Sequence, residues 1–372
     1  MAIKLKRKNL RERLKTCETL PELKLKKPLT FVDSGSWMLN LSLTNDIGKG
    51  YPIGRVVNPV GDYSTGKTLL ACELVNSVWY IEHLRHGKKV KIYYDEPEHA
   101  FDYGLAAKFN MPIEHVIGLR EGLSGYKQPK GEKLFRRSKT VEDLYRNLDR
   151  ISKEESDKND IVLYIIDSLD SVSDAREIRH IEKKGIDKQD MGGGKARVLS
   201  QMFRNCIEGV NNSNILLFIL SQIRMNIGVT FGNPHTRAGG KALDHYASQI
   251  FFLKERQKIT SPNKINQGIS VEIKVDKNKT GSRYNQLEFD ILHGWGIDNF
   301  SSAVNFLWDH SQFERSGNYI IWNKKNYYRK DLIELCASND SDAAQLKQKM
   351  QEYWNELIKE AEVKRKPKWG MC

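Results

Sequence analysis

The run Gly61-Asp62-Tyr63-Ser64-Thr65-Gly66-Lys67-Thr68 follows the spacing G-x-x-x-x-G-K-[ST]. A triphosphate needs many short hydrogen-bond donors at once, and a glycine-rich turn that opens a helix points several backbone N–H groups into one concavity. Gly61 and Gly66 permit that turn, and Asp62, Tyr63, Ser64 and Thr65 complete it. Lys67 can reach the outer phosphates and offset their charge, while the Thr68 hydroxyl can ligate Mg2+. The chemistry implied is binding of a nucleoside triphosphate such as ATP, with hydrolysis if the neighbours are suitable.

Such a loop works between a strand and a helix. The apolar run 55–60 precedes it, and Leu70, Leu74, Val78, Ile81 and Leu84 follow at helical spacing with a stop at Gly87. Further strand-like runs at 89–94, 161–166, 215–220, 249–253, 269–275 and 286–291 alternate with helical patterns. Residues 29–298 are therefore expected to form an α/β core with a mainly parallel sheet flanked by helices. Residues 1–28, rich in Lys, Arg and Leu, read as a short basic arm. Residues 299–372 read as a small C-terminal α/β domain, in which Leu346, Met350, Tyr353, Trp354 and Leu357 share a helix face as core packing, followed by the basic tail Lys364-Arg365-Lys366-Pro367-Lys368.

The chain has 372 residues and 39% hydrophobic content, enough for one large core. Its formal charge of +13 favours a polyanionic partner such as nucleic acid. The five cysteines are scattered without metal or redox spacing and read as reduced thiols. No apolar run is long enough for a membrane span, so a cytoplasmic, nucleoid-associated protein with no membrane partner is expected.

In an open α/β sheet, ligands gather beyond the C-terminal strand ends. Run 161–166 ends in Asp167-Ser168, and an aspartate closing a buried strand beside a phosphate loop holds Mg2+ in the Walker B manner. Run 89–94 ends in Asp95-Glu96-Pro97-Glu98, where a carboxylate could orient the attacking water. Position does not choose among Asp95, Glu96 and Glu98. Run 215–220 ends in Ser221-Gln222, where Gln222 could either donate to the γ-phosphate or bond to nearby backbone.

Two long segments, about 173–195 and 223–240, lack regular periodicity, and structureless stretches of that length inside a core are usually functional or disordered. The second interleaves Arg224 with Met225, Ile227, Val229 and Phe231. Cations for phosphates among apolar surfaces for bases suit single-stranded DNA binding without sequence readout.

The run from Ser221 through Pro234, with Gly239-Gly240-Lys241-Ala242-Leu243 and Tyr246-Ala247-Ser248, closely resembles the bacterial RecA recombinase family. The resemblance spans about 30–297 and includes the phosphate loop, Glu98-His99-Ala100, Met191-Gly192 and Lys277-Asn278-Lys279. It implies a RecA-like P-loop core using ATP and Mg2+, with Glu98 as the water-activating carboxylate, Asp102 at the adenine and Gln222 as the nucleotide switch. Lys277 and Lys279 are implied to reach ATP on an adjacent subunit of a helical filament. Met191, Arg197, Arg204, Gly239 and Gly240 are implied to lie on DNA.

Departures from the family pattern stand beside these matches. Asp244 and His245 replace a lysine and a phenylalanine of the family's subunit contact, and the C-terminal tail is basic where RecA's is acidic. The expected function is a DNA-dependent ATPase that polymerises on single-stranded DNA and promotes homologous pairing and strand exchange with a homologous duplex, aided by single-strand-binding and loader proteins. A RecA-fold motor of another kind, such as a helicase or packaging ATPase, and a non-catalytic filament modulator are the alternatives.

Overall fold

The computed structural model describes residues 29–155, 159–184, 194–225, 235–237, 240–281 and 286–362. The expected basic arm and basic tail lie outside the described residues. Contacts divide the chain after Thr30, and the fold below is that of the unit from Phe31 onward.

The chain begins with β1 (Phe31–Val32), α1 (Trp37–Thr44) and β2 (Tyr51–Pro52), β1 and β2 pairing with each other. β3 (Val56–Gly61) leads through the phosphate loop to α2 (Lys67–Asn76). The expected long helix over 67–86 is α-helical only to Asn76 and continues as a π-helical segment, Ser77–Arg85, before stopping at Gly87 with φ +69°. β4 (Val90–Asp95), α3 (Tyr103–Lys108) and β5 (Val116–Ile117) follow. α4 (Val141–Glu154) opens on a capping box in which Thr140 and Asp143 exchange side-chain bonds with each other's N–H groups, and it buries Val141, Leu144, Leu148 and Ile151.

β6 (Ile161–Ile166), buried throughout, leads to α5 (Ala175–Lys184) and, further on, α6 (Gly194–Asn212). β7 (Ile215–Ile219), β8 (Ser221–Met225), β9 (His235–Arg237), α7 (Gly240–Tyr246), β10 (Gln249–Thr260), β11 (Asn266–Asn278) and β12 (Gln286–Leu292) complete the core. The C-terminal part comprises β13 (Gly296–Asp298), α8 (Asn299–Asp309), the strands β14 (Arg315–Ser316), β15 (Tyr319–Trp322) and β16 (Lys325–Tyr327), α9 (Arg329–Ser338) and α10 (Asp340–Ala361).

Among the described residues the large sheet has the order β13-β12-β11-β10-β3-β7-β6-β4-β5. β3, β4, β5, β6 and β7 run parallel with β10, while β10, β11, β12 and β13 are antiparallel neighbours. Successive side chains of a strand face opposite sides. Ile161, Leu163 and Ile165 accordingly join the cluster that holds Leu70 and Leu74 of α2, while Val162, Tyr164 and Ile166 join the one that holds Leu148 of α4 and Phe203 of α6. A sheet covered on both faces is the α/β arrangement expected from the sequence. The C-terminal stripe packs as expected: Leu346, Met350 and Trp354 are buried in the first of these clusters with Ile320, Trp322 and Leu332.

Two corrections concern the long segments. Ser173 to Lys195 was expected to lack regular structure, yet α5 forms within it, because Asp174 accepts the Arg176 and Glu177 N–H groups and so caps the helix. In 223–240, likewise expected to be irregular, the described ends form an antiparallel ribbon, β8 with β9, pairing Ile223 with Arg237 and Met225 with His235.

Glu73 of α2 is a largely buried carboxyl beside Gly35 and Gly296. Burial pushes its pKa from 4.5 up to about 7, with the Ile297 N–H opposing and Asp33 assisting. A raised folded pKa favours the protonated form, so the stability it confers is complete below pH 4.5 and is lost as the pH rises through 7. At ~1.4 kcal/mol per pKa unit this amounts to about 3 kcal/mol. Glu73→Gln is expected to raise unfolding free energy by up to that amount at pH 8 and to change little at pH 4.5, which urea unfolding at the two pH values would measure.

Candidate nucleotide site

The loop between β3 and α2 has the tight geometry its glycines imply. A Cβ at Gly61 would lie 2.4 Å from Thr65 Oγ1 and 3.2 Å from the Leu253 carbonyl, and Gly66, at φ +87°, would place one 2.4 Å from Ile291 Cδ1. Thr65 Oγ1 donates to the Asp62 carbonyl at 2.8 Å, and Asp62 Oδ1 accepts from the Tyr63 N–H at 2.8 Å. Tyr63 projects outward, 76% exposed, and Ser64 adopts φ +57°. No side chain caps α2 at Gly66, so the N–H groups of its first turn remain open to the loop.

Lys67 is buried, its Nζ donating to the carbonyls of Gly61 at 3.0 Å and Asp62 at 2.6 Å. Burial pushes its pKa down, while Asp167, Asp62, Asp170 and Glu98 pull it up. An ammonium on neutral carbonyls gains more from an oxyanion, so a phosphate in this concavity would draw it away from them. The residues fit a nucleotide phosphate.

Strand register brings the other groups to the same edge. Gly61 is paired with Gln222 of β8, and Asp95 with Ile166, the residue before Asp167. Asp167 Oδ2 accepts from Thr68 Oγ1 and Tyr94 Oη, both at 2.8 Å. Its carboxyl is pushed up chiefly by burial, against the pull of Tyr94, Thr68 and Lys67. A half-buried carboxylate beside a threonine hydroxyl fits Mg2+, which takes few protein ligands and keeps several waters. No cluster of three His, Cys, Asp or Glu side chains suited to a metal occurs among the described residues.

The three acids at and after the end of β4 are sharply differentiated. Asp95 is fully buried and accepts from Ser138 N at 2.8 Å, Ser138 Oγ at 2.5 Å and Tyr164 Oη at 2.6 Å. Glu96 is buried and accepts from the Ala100 N–H at 2.7 Å. Glu98 is exposed, and its Oε1 accepts from Ser168 Oγ at 2.5 Å and Ser171 Oγ at 2.9 Å, immediately after Asp167. Of the three, it is Glu98 that is open to solvent. Asp102 caps α3, one oxygen accepting the Leu105 N–H at 2.9 Å.

The 3₁₀ turn Leu169–Ser171 ties these parts together. Ser168 and Ser171 hold Glu98, and Asp170 Oδ2 accepts the Gln222 N–H at 2.8 Å. Lys195, at the start of α6, donates to the carbonyls of Leu169 at 2.8 Å and Asp170 at 3.1 Å. The sequence reading missed Tyr94, Ser168, Ser171, Asp170 and Lys195 in this role. A tyrosine hydroxyl within a buried strand and the serines flanking Leu169-Asp170 were the available signals.

Lys277 and Lys279 lie elsewhere. Lys277 pairs with Ile250, itself level with Asn58, three residues short of Gly61 along β3. Lys277 Nζ donates to the Asp244 and His245 carbonyls and Lys279 Nζ to that of His245, so both sit at the C-terminus of α7, where cations are favoured. Arg237 of β9 is ion-paired with the Asp244 side chain. Arg197 and Arg204 are exposed on α6, seven residues apart and hence on one face. Gly240 opens α7, and Arg224 and Met225 belong to β8. Met191, Ile227, Phe231 and Gly239 lie outside the described residues.

The family whose model describes the RecA N-terminal domain matches residues 147–298, a span that includes Asp167, Gln222, Lys277 and Lys279. "Protein RecA" of Colwellia psychrerythraea is 30% identical over 296 residues, which cover 78% of this chain and 74% of that protein. With a phosphate loop and two carboxylate-bearing strand ends gathered on one edge of a parallel sheet, and a relative matched across most of both chains, the protein belongs to the RecA family.

Proposed function

We infer that the chain is a DNA-dependent ATPase that assembles into a filament on single-stranded DNA and promotes homologous pairing and strand exchange. The observation that carries this reading is the turn Leu169–Ser171, which touches the carboxylate Glu98 on one side and, on the other, Lys195 at the end of the first long segment and Gln222 just before the second. Family membership and the charge of +13 support it.

ATP supplies the phosphoanhydride and Mg2+ the charge that Thr68 and Asp167 would hold. The first-turn N–H groups of α2 and the Lys67 ammonium bind and orient the outer phosphates. Glu98 takes up the proton of the attacking water at its free oxygen, while Ser168 and Ser171 keep its Oε1 in place. Gln222, paired beside Gly61, relays the state of the phosphate loop to β8. Arg197 and Arg204 on α6, with Arg224 of β8, meet DNA phosphates, and Lys277 and Lys279 reach the nucleotide of a neighbouring copy. Residues 1–28 serve as an arm in self-association, and the basic tail assists capture of duplex DNA.

The test is strand exchange between a circular single strand and a homologous linear duplex, with ATP and Mg2+. Joint molecules and nicked circles are expected, with ATP turnover raised by single-stranded DNA. A protein that instead unwinds a forked duplex without pairing homologous strands would be a motor of another kind.

A further inference from the structure

The segment between β5 and α4 is rich in charge, and one of its side chains reaches the rim of the nucleotide site. Arg137 Nη1 lies 3.3 Å from Glu96 Oε2 and donates to His99 Nδ1 at 2.8 Å, while Nη2 donates to the Gly118 carbonyl at 3.4 Å. The guanidinium is thus held on three sides, and Lys could not reproduce that planar fork. The next residue, Ser138, gives both its N–H and its hydroxyl to Asp95 at the end of β4. Arg137 is thereby anchored to the strand whose end it braces.

What it braces is the turn that carries Glu98. His99 has φ +56°, a left-handed conformation unfavourable for a non-glycine residue. Glu96, only 4% exposed, closes the turn by accepting the Ala100 N–H and is ion-paired with Arg137 alone among the described residues. A buried carboxylate deprived of its cation is strongly unfavourable and tends to rearrange or take up a proton. With Nδ1 accepting from Arg137, a neutral His99 ring carries its proton on Nε2.

We propose that Arg137 is a positioning residue for water activation: it pins Glu96 and His99 so that the intervening Glu98 carboxylate stays on Ser168 and Ser171, beside Asp167. The inference rests on the reading of Glu98 as the water-activating group. Arg137 acts through the turn, since among the described residues its side-chain hydrogen bonds are with Glu96, His99 and Gly118 and none is with the phosphate loop or with Glu98.

The experiment compares ATP turnover and affinity for a fluorescent ATP analogue in the full chain and in Arg137→Ala, Arg137→Lys, Glu98→Gln and the Arg137→Ala/Glu98→Gln pair. Arg137→Ala is expected to lower kcat by about 10- to 100-fold, the scale of a small misplacement of a reacting group, with analogue affinity changed less than about twofold. Residues acting through one another are non-additive, so in the Glu98→Gln background the same change is expected to cost less than about twofold. An equal further loss in that background overturns the inference alone, as does a weakened affinity with unchanged kcat. Turnover that survives Glu98→Gln overturns the reading of Glu98 and this inference with it. If Arg137→Ala does not fold, Arg137→Lys decides: a kcat reduced with affinity retained supports the proposal, and a wild-type kcat overturns it.

Discussion

Lys67→Ala is expected to reduce ATP hydrolysis by about a hundred- to a thousandfold, the usual scale for removing a preorganised charge from a reacting centre. The ammonium is buried at the mouth of a loop whose remaining donors are neutral N–H groups, and no other lysine or arginine bonds to Gly61 or Asp62 among the described residues. Its loss leaves the outer phosphates facing Asp167 and Glu98 with one cation fewer, so nucleotide affinity should fall as well. Folding should survive, because burying a charged ammonium is itself costly, as its lowered pKa indicates. Phosphate release, nucleotide binding and thermal unfolding measured on one preparation would check all three. Unchanged hydrolysis would remove the phosphate loop from the mechanism.

Glu98→Gln separates chemistry from binding. Glutamine keeps the shape and can still accept from Ser168 and Ser171, but it cannot take the proton of water. Loss of a general base is worth about 10²- to 10⁴-fold, so kcat should fall by that order while affinity for ATP stays near that of the wild type. With binding intact and hydrolysis slowed, complexes with single-stranded DNA should outlast those of the parent protein, an effect that anisotropy decay of labelled DNA after competitor addition would report. Rapid DNA release at the wild-type rate, with hydrolysis suppressed, would show that release does not depend on turnover.

The parallel half of the core was legible because its strands are short apolar runs buried on both faces. The run 161–166 matches β6 residue for residue, and 249–253 marks where β10 lies beside β3. β10 in fact continues to Thr260, and β11 begins at Asn266; this part was missed because Lys254 through Lys258 are exposed and their polar sequence carries no strand-like alternation. Two-residue strands such as β1, β2 and β5 are fixed by tertiary pairing and leave no local signal. α5 was overlooked because its apolar stripe is thin, only Ala175, Ile178 and Ile181 being apolar and half-buried, although Asp174 and Glu177 offered a capping signal.

The site was legible where chemistry demands a fixed local spacing. The phosphate loop is contiguous, so its residue types declare it. Asp167 was singled out by its place at a strand end. The choice among Asp95, Glu96 and Glu98 is a matter of burial and partners, and those partners, Ser138, Tyr164 and Arg137, come from strands and loops tens of residues away. Sequence position alone could not pair them. Only the likeness to a family selected Glu98 beforehand, and the same burial pattern leaves that residue exposed.

The turn Leu169–Ser171 has a mechanical consequence. Because Glu98, Lys195 near the start of α6 and the backbone N–H of Gln222 all rest on it, the flanks of both long segments share one footing. Two levers on a common pivot cannot be set independently: tilting the pivot moves both, and holding either arm holds the pivot. Reciprocity then follows, since whatever work a change at the carboxylate does on the arms, a load on the arms returns to the carboxylate. A polymer engaged by either segment would thus be felt at the hydrolytic edge as a change in the stiffness of a single turn.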